Sequence, residues 1–246
     1  MKSMARRVVA GLLIVIVLCI CIVPPSLAVR RVTRGSFYGM SWRVVDGVLF
    51  LGEENTTQMV WFNLTMTRTD WPWNEIRNEI MEIRCDGRVI VSGSIGGLAQ
   101  SCRNVKIIDL SNMDVSGVVD MTGLFSGCQS LMDLNLDGWC TGKVTSMAQM
   151  FNGCSKALSF DLSMFDTSKV TTMCEMFYMC KDLTGLNLAG WDISNVENIE
   201  RMFAGCPKLT EFHFNGWSAL NIMKLLTEYD HDVLHGGDTQ SSPALD

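Results

Sequence analysis

Hydrophobic and polar positions recur along most of this chain with a step of 26 residues. Cys102, Cys128, Cys154, Cys180 and Cys206 form one such column. Leu110, Leu136, Leu162, Leu188 and Phe214 form a second, and Ile108, Leu134, Phe160, Leu186 and Phe212 a third. Met113, Trp139, Phe165, Trp191 and Trp217 keep the same register, as do Val118, Val144, Val170 and Val196. Many columns sharing one period without insertion mark an internal repeat. Within one unit, Leu134 and Leu136 alternate with Asp133, Asn135 and Asp137. Alternation with a period of two places the leucines on one face of a short strand. Gly138-Trp139 turns the chain away. Val144, Met147, Met150, Phe151 and Cys154 then follow at steps that predict a helical turn with one buried stripe, ended at Gly153.

A single unit of this kind cannot bury its own apolar face, but stacked units cover one another. The expected fold is therefore an α/β repeat solenoid. It is leucine-rich-repeat-like, built of 26-residue units of a short parallel strand plus a helical turn. Strands about 4.8 Å apart in four to five rungs would give a sheet roughly 20 Å wide. Residues 36–100 read as an N-terminal β-rich cap. Asp46-Gly47 lies between apolar runs and signals a hairpin. Trp71-Pro72-Trp73 leads into Ile76, Ile80 and Ile83 as a helix or bent strand, and Val89 to Val91 reads as a strand. Ile95, Leu98 and Cys102 form a degenerate first repeat in front of an array over residues 101–217. Residues 218–246, with Leu220, Ile222, Leu225 and Leu226, read as a helical C-terminal cap and a disordered tail.

Composition narrows the class. Hydrophobic residues make up 48% of the chain and charged residues 19%, which excludes wholesale disorder. Residues 1–28 carry Lys2, Arg6 and Arg7 and no acid, then the apolar run Gly11 to Val23, Pro24-Pro25 and Ser26-Leu27-Ala28. This is the order of a signal peptide, and it predicts a secreted or cell-surface protein. The alternative reading is an uncleaved anchor with Arg30 and Arg31 beyond it; membrane contact is expected through that segment alone. Without residues 1–28 the chain has 17 basic and 26 acidic side chains, a net of −9. Such a chain repels phosphate backbones, so nucleic acid is not expected as a partner.

The Cys102, Cys128, Cys154, Cys180 and Cys206 column is read as a structural ladder of small buried side chains, because aligned side chains suit packing better than disulfide geometry. Cys85, Cys140 and Cys174 stand outside it. The 17 methionines fall largely in the buried columns and read as core. His213, His231 and His235 show no metal-ligand spacing, and no catalytic motif occurs. No enzyme activity, metal site or cofactor is expected. Asp114, Asp166 and Asp192 recur before Ser or Thr and read as turn caps, with stacked calcium sites as the alternative. Asn55-Thr56-Thr57 and Asn63-Leu64-Thr65 match the N-glycosylation pattern, which matters only in a eukaryotic secretory route. The binding expectation rests on outward strand positions Asp109, Asn135, Asp161, Asn187 and His213. They form a polar, acidic face suited to an extracellular or host protein.

Several units resemble a known family. Gly138-Trp139, Val144-Thr145 and Met150-Phe151-Asn152-Gly153-Cys154, with Phe165-Asp166-Thr167-Ser168-Lys169-Val170-Thr171 and Met176-Phe177, are similar to the repeats of the BspA-like leucine-rich-repeat surface proteins. Gly47 to Gly52 and the Trp71-Pro72-Trp73 stretch resemble their lead-in. The resemblance covers residues 40–217. It implies a surface-displayed, non-enzymatic protein linked to adhesion to matrix proteins or neighbouring cells. Cys140 departs from the pattern, standing where Asp114, Asp166 and Asp192 stand in other units. The array is also short.

Overall fold

A computed structural model describes residues 33–62 and 71–213. The expected signal peptide, the second glycosylation motif and the C-terminal cap and tail lie outside these residues. The described residues begin with three antiparallel strands: β1 (Thr33–Phe37), β2 (Met40–Val45) and β3 (Val48–Leu51). Asp46 and Gly47 link β2 to β3 with φ of 51° and 83°. Positive φ at both central residues is the hairpin turn that Asp-Gly favours. After β4 (Thr57–Phe62) and a 3₁₀ helix at Asn74–Glu79 come β5 (Glu82–Cys85), β6 (Arg88–Ser94), β7 (Ile107–Asp109) and β8 (Met113–Asp120). The last four strands have three residues each: β9 (Asp133–Asn135), β10 (Ser159–Asp161), β11 (Gly185–Asn187) and β12 (Glu211–His213).

The repeat becomes parallel strand pairing. Ile107 faces Asp133 across β7 and β9; Ser159 faces Gly185 and Gly185 faces Glu211 across β10, β11 and β12. Each step is one repeat. A second sheet, β4-β6-β8, is also parallel. Single bridges extend it from Asp120 to Ser146, Thr172 and Asn198. A continuous core includes the leucine, valine, methionine and cysteine columns.

The expected helical turns are not there. The described residues are mostly strands and turns, and the 3₁₀ helix at 74–79 is their one helical element. Each stretch read as helix is a string of tight turns. Met150 N–H donates to Met147 O, Asn152 to Gln149 O and Cys154 to Phe151 O, each three residues back. A helix would also spend the intervening amides within the chain. Here Met147, Gln149, Phe151 and Gly153 donate instead to Thr172, Cys174, Met176 and Tyr178 on the next rung. Gln149 and Gly153 have φ of 57° and 73°, as do their counterparts Glu175, Met179, Arg201 and Gly205 within a similar range. That conformation suits the third residue of a type II turn and breaks an α-helix. Spacing of three is common to a tight turn and a helix, so the sequence pattern did not separate them.

The sheet expected to run through all the rungs is also interrupted. β9 ends the six-stranded sheet β1-β2-β3-β5-β7-β9, and β10 begins a separate sheet, β10-β11-β12. Leu110 N–H donates to Asn135 O, Leu162 to Asn187 O and Leu188 to His213 O. Among the described residues no such bond runs from Leu136 to Asp161. The turn side stays joined across the same two rungs, with Gly153 N–H on Tyr178 O at 2.7 Å and Phe151 N–H on Met176 O at 2.9 Å.

Candidate binding face

The outward strand positions are brought together in register, one per rung. Asp109 faces Asn135 across one ladder; Asp161, Asn187 and His213 are neighbours across the other. The interruption between β9 and β10 separates the two groups. Much of their hydrogen-bonding capacity is spent internally. Asp109 Oδ1 accepts from the Ser111 amide at 3.1 Å and hydroxyl at 2.7 Å; Asp161 Oδ1 accepts from the same two groups of Ser163 at 3.1 and 2.6 Å. Asn187 Nδ2 donates to Asp161 Oδ1 at 3.0 Å, and Asn135 Oδ1 accepts from the Asp137 amide. The Ser163 hydroxyl and amide, with smaller help from Asn187 and His213, hold the Asp161 carboxyl below its ordinary range. At Asp109, burial opposes the charge, but the Ser111 donors outweigh it and the net shift is downward. Both carboxylates are charged at neutral pH.

Asp114, Asp166 and Asp192 are occupied by turn capping. Their Oδ1 atoms accept from the amides of Ser116, Ser168 and Ser194 at 3.1, 3.0 and 2.9 Å. Those serines, by hydroxyl and then by amide, lower the three carboxyls from the ordinary value. Among the described residues no group of three or more His, Cys, Asp or Glu side chains is placed to hold a metal ion.

The cysteine ladder lies in the core beneath the tight turns. Cys128, Cys154, Cys180 and Cys206 each donate a weak S–H hydrogen bond to a carbonyl of the preceding rung, at Ala99, Phe125, Phe151 and Phe177. Burial pushes the thiols of Cys85 and Cys102 up to about 12 and raises those of Cys128 and Cys154 well above the ordinary value. At Cys180 the hydrogen bond with Cys206 and then burial act the same way. A thiol held protonated is neither a nucleophile nor a ready metal ligand. The described cysteines are unpaired, and Cys140 is the exposed one among them. In its unit a serine-capped aspartate turn is missing, yet Trp139 Nε1 still donates to Leu110 O at 3.0 Å.

A feature that the outward columns did not reveal is a cavity of about 350 Å³ between β9 and β10. Its floor includes Leu131, Ala157 and Phe160, and Asp133, Asp137 and Asp161 stand on its walls. Two changes of side-chain size meet there. Ala157 stands where Leu131, Leu183 and Leu209 stand, so a buried side chain is short by most of its volume. Phe160 follows Ile108 and Leu134 in a column that continues with Leu186 and Phe212, and its ring tilts onto Phe151 at 4.4 Å and Phe177 at 6.1 Å; β12 pairs with β11 although Phe212 is in that column, so a ring there opens no ladder by itself. A ring needs more room than a branched aliphatic chain. Leu134 is left half-buried while Ile108 and Leu186 are buried. Both departures are visible once the units are aligned.

The 26-residue columns, carried into parallel strand pairing, define the class first as a repeat protein. The chain is similar to a leucine-rich repeat protein from Eubacterium ventriosum ATCC 27560 of known crystal structure, at 12% identity and a TM-score of 0.27, covering 73% of this chain and 83% of that one. The chain belongs to the family described as "Mycoplasma protein of unknown function, DUF285", whose profile matches residues 94–218, just over half of its length. No curated protein matches. Among the described residues no helix is long and apolar enough to cross a membrane.

Proposed function

We propose that this protein is a secreted or cell-surface binding module: a BspA-like leucine-rich-type solenoid that recognises an extracellular protein through its strand face and carries out no catalysis. The observation that carries this reading is the register of Asp109 and Asn135, and of Asp161, Asn187 and His213, on adjoining parallel strands. A regular array of polar groups on a rigid stack is the usual recognition surface of repeat proteins. Its aspartates are charged at neutral pH, which favours a partner with basic or hydrogen-bond-donating groups. The same observation set supports one other reading. Asp109 and Asp161 already accept two hydrogen bonds each from Ser111 and Ser163, as they would in a structural component of a surface assembly with no ligand of its own. The test is capture of extracellular matrix and cell-surface proteins by the full chain, compared with a triple variant carrying Asp109→Ala, Asn187→Ala and His213→Ala. Capture by the parent and its loss in the variant supports a binding face. Capture of nothing by the parent favours the assembly role.

A further inference from the structure

We propose that the breach between β9 and β10 is the recognition point of this face, and that it takes an extended segment of a partner protein in which basic and apolar side chains alternate. The inference rests on the binding-module reading and adds where and what the module binds.

Three independent features meet at this place. The first is the backbone. In parallel pairing alternate residues turn their peptide groups to opposite neighbours. The bonds from Leu110 to Asn135 and from Leu162 to Asn187 set that alternation. It directs the N–H and C=O of Leu134 on one edge, and of Ser159 and Asp161 on the other, into the breach. Open strand edges are templates for another extended chain, and natural proteins normally cover or charge them. Here two such edges face each other inside the stack.

The second feature is apolar. The position just before each short strand is Lys106, Met132, Leu158, Thr184 and Thr210 in successive rungs. It is apolar only on the two strands that border the breach, and there Met132 is 70% and Leu158 61% exposed. Met164, 47% exposed, adds to the same rim where Gly138 and Gly190 stand in neighbouring units. Large exposed apolar side chains gathered at one spot mark an interaction site. Beneath them, the volume absent at Ala157 gives an inward-pointing side chain somewhere to go.

The third feature is charge. Asp133, Asp137 and Asp161 line the cavity, and no Lys or Arg does. In an extended peptide successive side chains point to opposite sides. One set would enter the apolar floor over Ala157 while the other passes the carboxylates. A segment of alternating aliphatic residues and Lys or Arg satisfies both.

The test uses the full chain and fluorescein-labelled heptapeptides alternating Val or Leu with Lys or Arg, with an acidic set alternating the same aliphatics with Glu, and scrambled controls. Saturable binding of the basic alternating peptides, weakened about tenfold or more by the double variant Ala157→Leu with Phe160→Leu, is expected. That variant installs the side chains of the next rung, Leu183 and Leu186, so a folded, closed ladder is the natural product. Should it fail to fold, Asp133→Asn with Asp161→Asn keeps the side-chain shape and is expected to abolish the preference for basic over acidic peptides. Bound peptide should slow hydrogen exchange at the amides of Leu134, Ser159 and Asp161. Absence of peptide binding by the parent overturns the proposal, as does equal binding of acidic and basic sets or undiminished binding after closure. Self-association of the parent that closure removes would put a second copy in the breach and also overturn it. If the parent captures extracellular proteins and Asp109→Ala with Asn187→Ala ends that capture while closure does not, the binding-face reading stands and the breach proposal fails.

Discussion

The strand side and the turn side of the stack are built from the same 26-residue unit, yet one is interrupted and the other is not. On the turn side Phe125, Phe151, Phe177 and Phe203 stack at 5.5, 5.6 and 5.7 Å, and their backbone bonds pass from rung to rung without a gap. On the strand side the hydrogen-bonded ladder stops between β9 and β10. Nearby, Trp139 and Phe165 stack at the wider spacing of 6.5 Å. The difference teaches that stacking of identical units is only as continuous as each column of side chains. The turn side keeps Phe at 125, 151, 177 and 203, whereas the strand side changes Leu to Ala at 157, beside the bulky Phe160. A local vacancy opens an edge without disturbing the far side, because each rung contacts chiefly its neighbours.

The contrast can be broken most severely on the turn side. Phe151 is fully buried between two rings, and Phe151→Ala should destabilise the fold by about 3–5 kcal/mol, read as a lower midpoint in urea. The same truncation at half-buried Leu134, on the breach, should cost well under half as much; equal losses would mean that the two sides are not mechanically distinct. Closing the breach works in the other direction. Ala157→Leu should raise the melting temperature, with cavity filling commonly contributing about 0.5–2 kcal/mol. A lower melting temperature would show that the missing leucine is not what opens the ladder.

Thiol labelling gives a smaller, kinetic contrast. In the native protein Cys140 should react with a maleimide, while Cys102, Cys128, Cys154 and Cys180 should resist until denaturant is added, since burial keeps them protonated and out of reach. Labelling of the ladder under native conditions would mean that the turns open readily. The smallest effect is that of pH. The carboxyls of Asp114, Asp161, Asp166 and Asp192 are held below their ordinary value when folded. A depressed pKa contributes stability above the unfolded value and loses it as pH falls through the folded one. Melting temperature should thus be level above about pH 5 and decline below about pH 4, less so after Ser163→Ala and Ser168→Ala.

Much of this molecule could be read from its residues alone. The columns determined that rungs are 26 residues apart, that Ile108 and Leu186 point inward, and that Asp161 and Asn187 sit side by side. These follow from periodicity, which depends on which residues repeat and not on how the chain bends between them. Asp46-Gly47 specified its own turn for a local reason, the tolerance of both residues for positive φ. What the chain pattern left open was where each backbone amide finds its acceptor. The stretch from Met147 to Cys154 has a spacing shared by helices and tight turns, and only the neighbouring rung, accepting from Gln149 and Phe151, decided for turns. The breach was likewise written in Ala157 and Phe160, but its consequence was not. Whether a short side chain and a bulky one are absorbed by repacking or separate two strands depends on the three-dimensional fit of both neighbours, and only the tertiary structure brings those neighbours together.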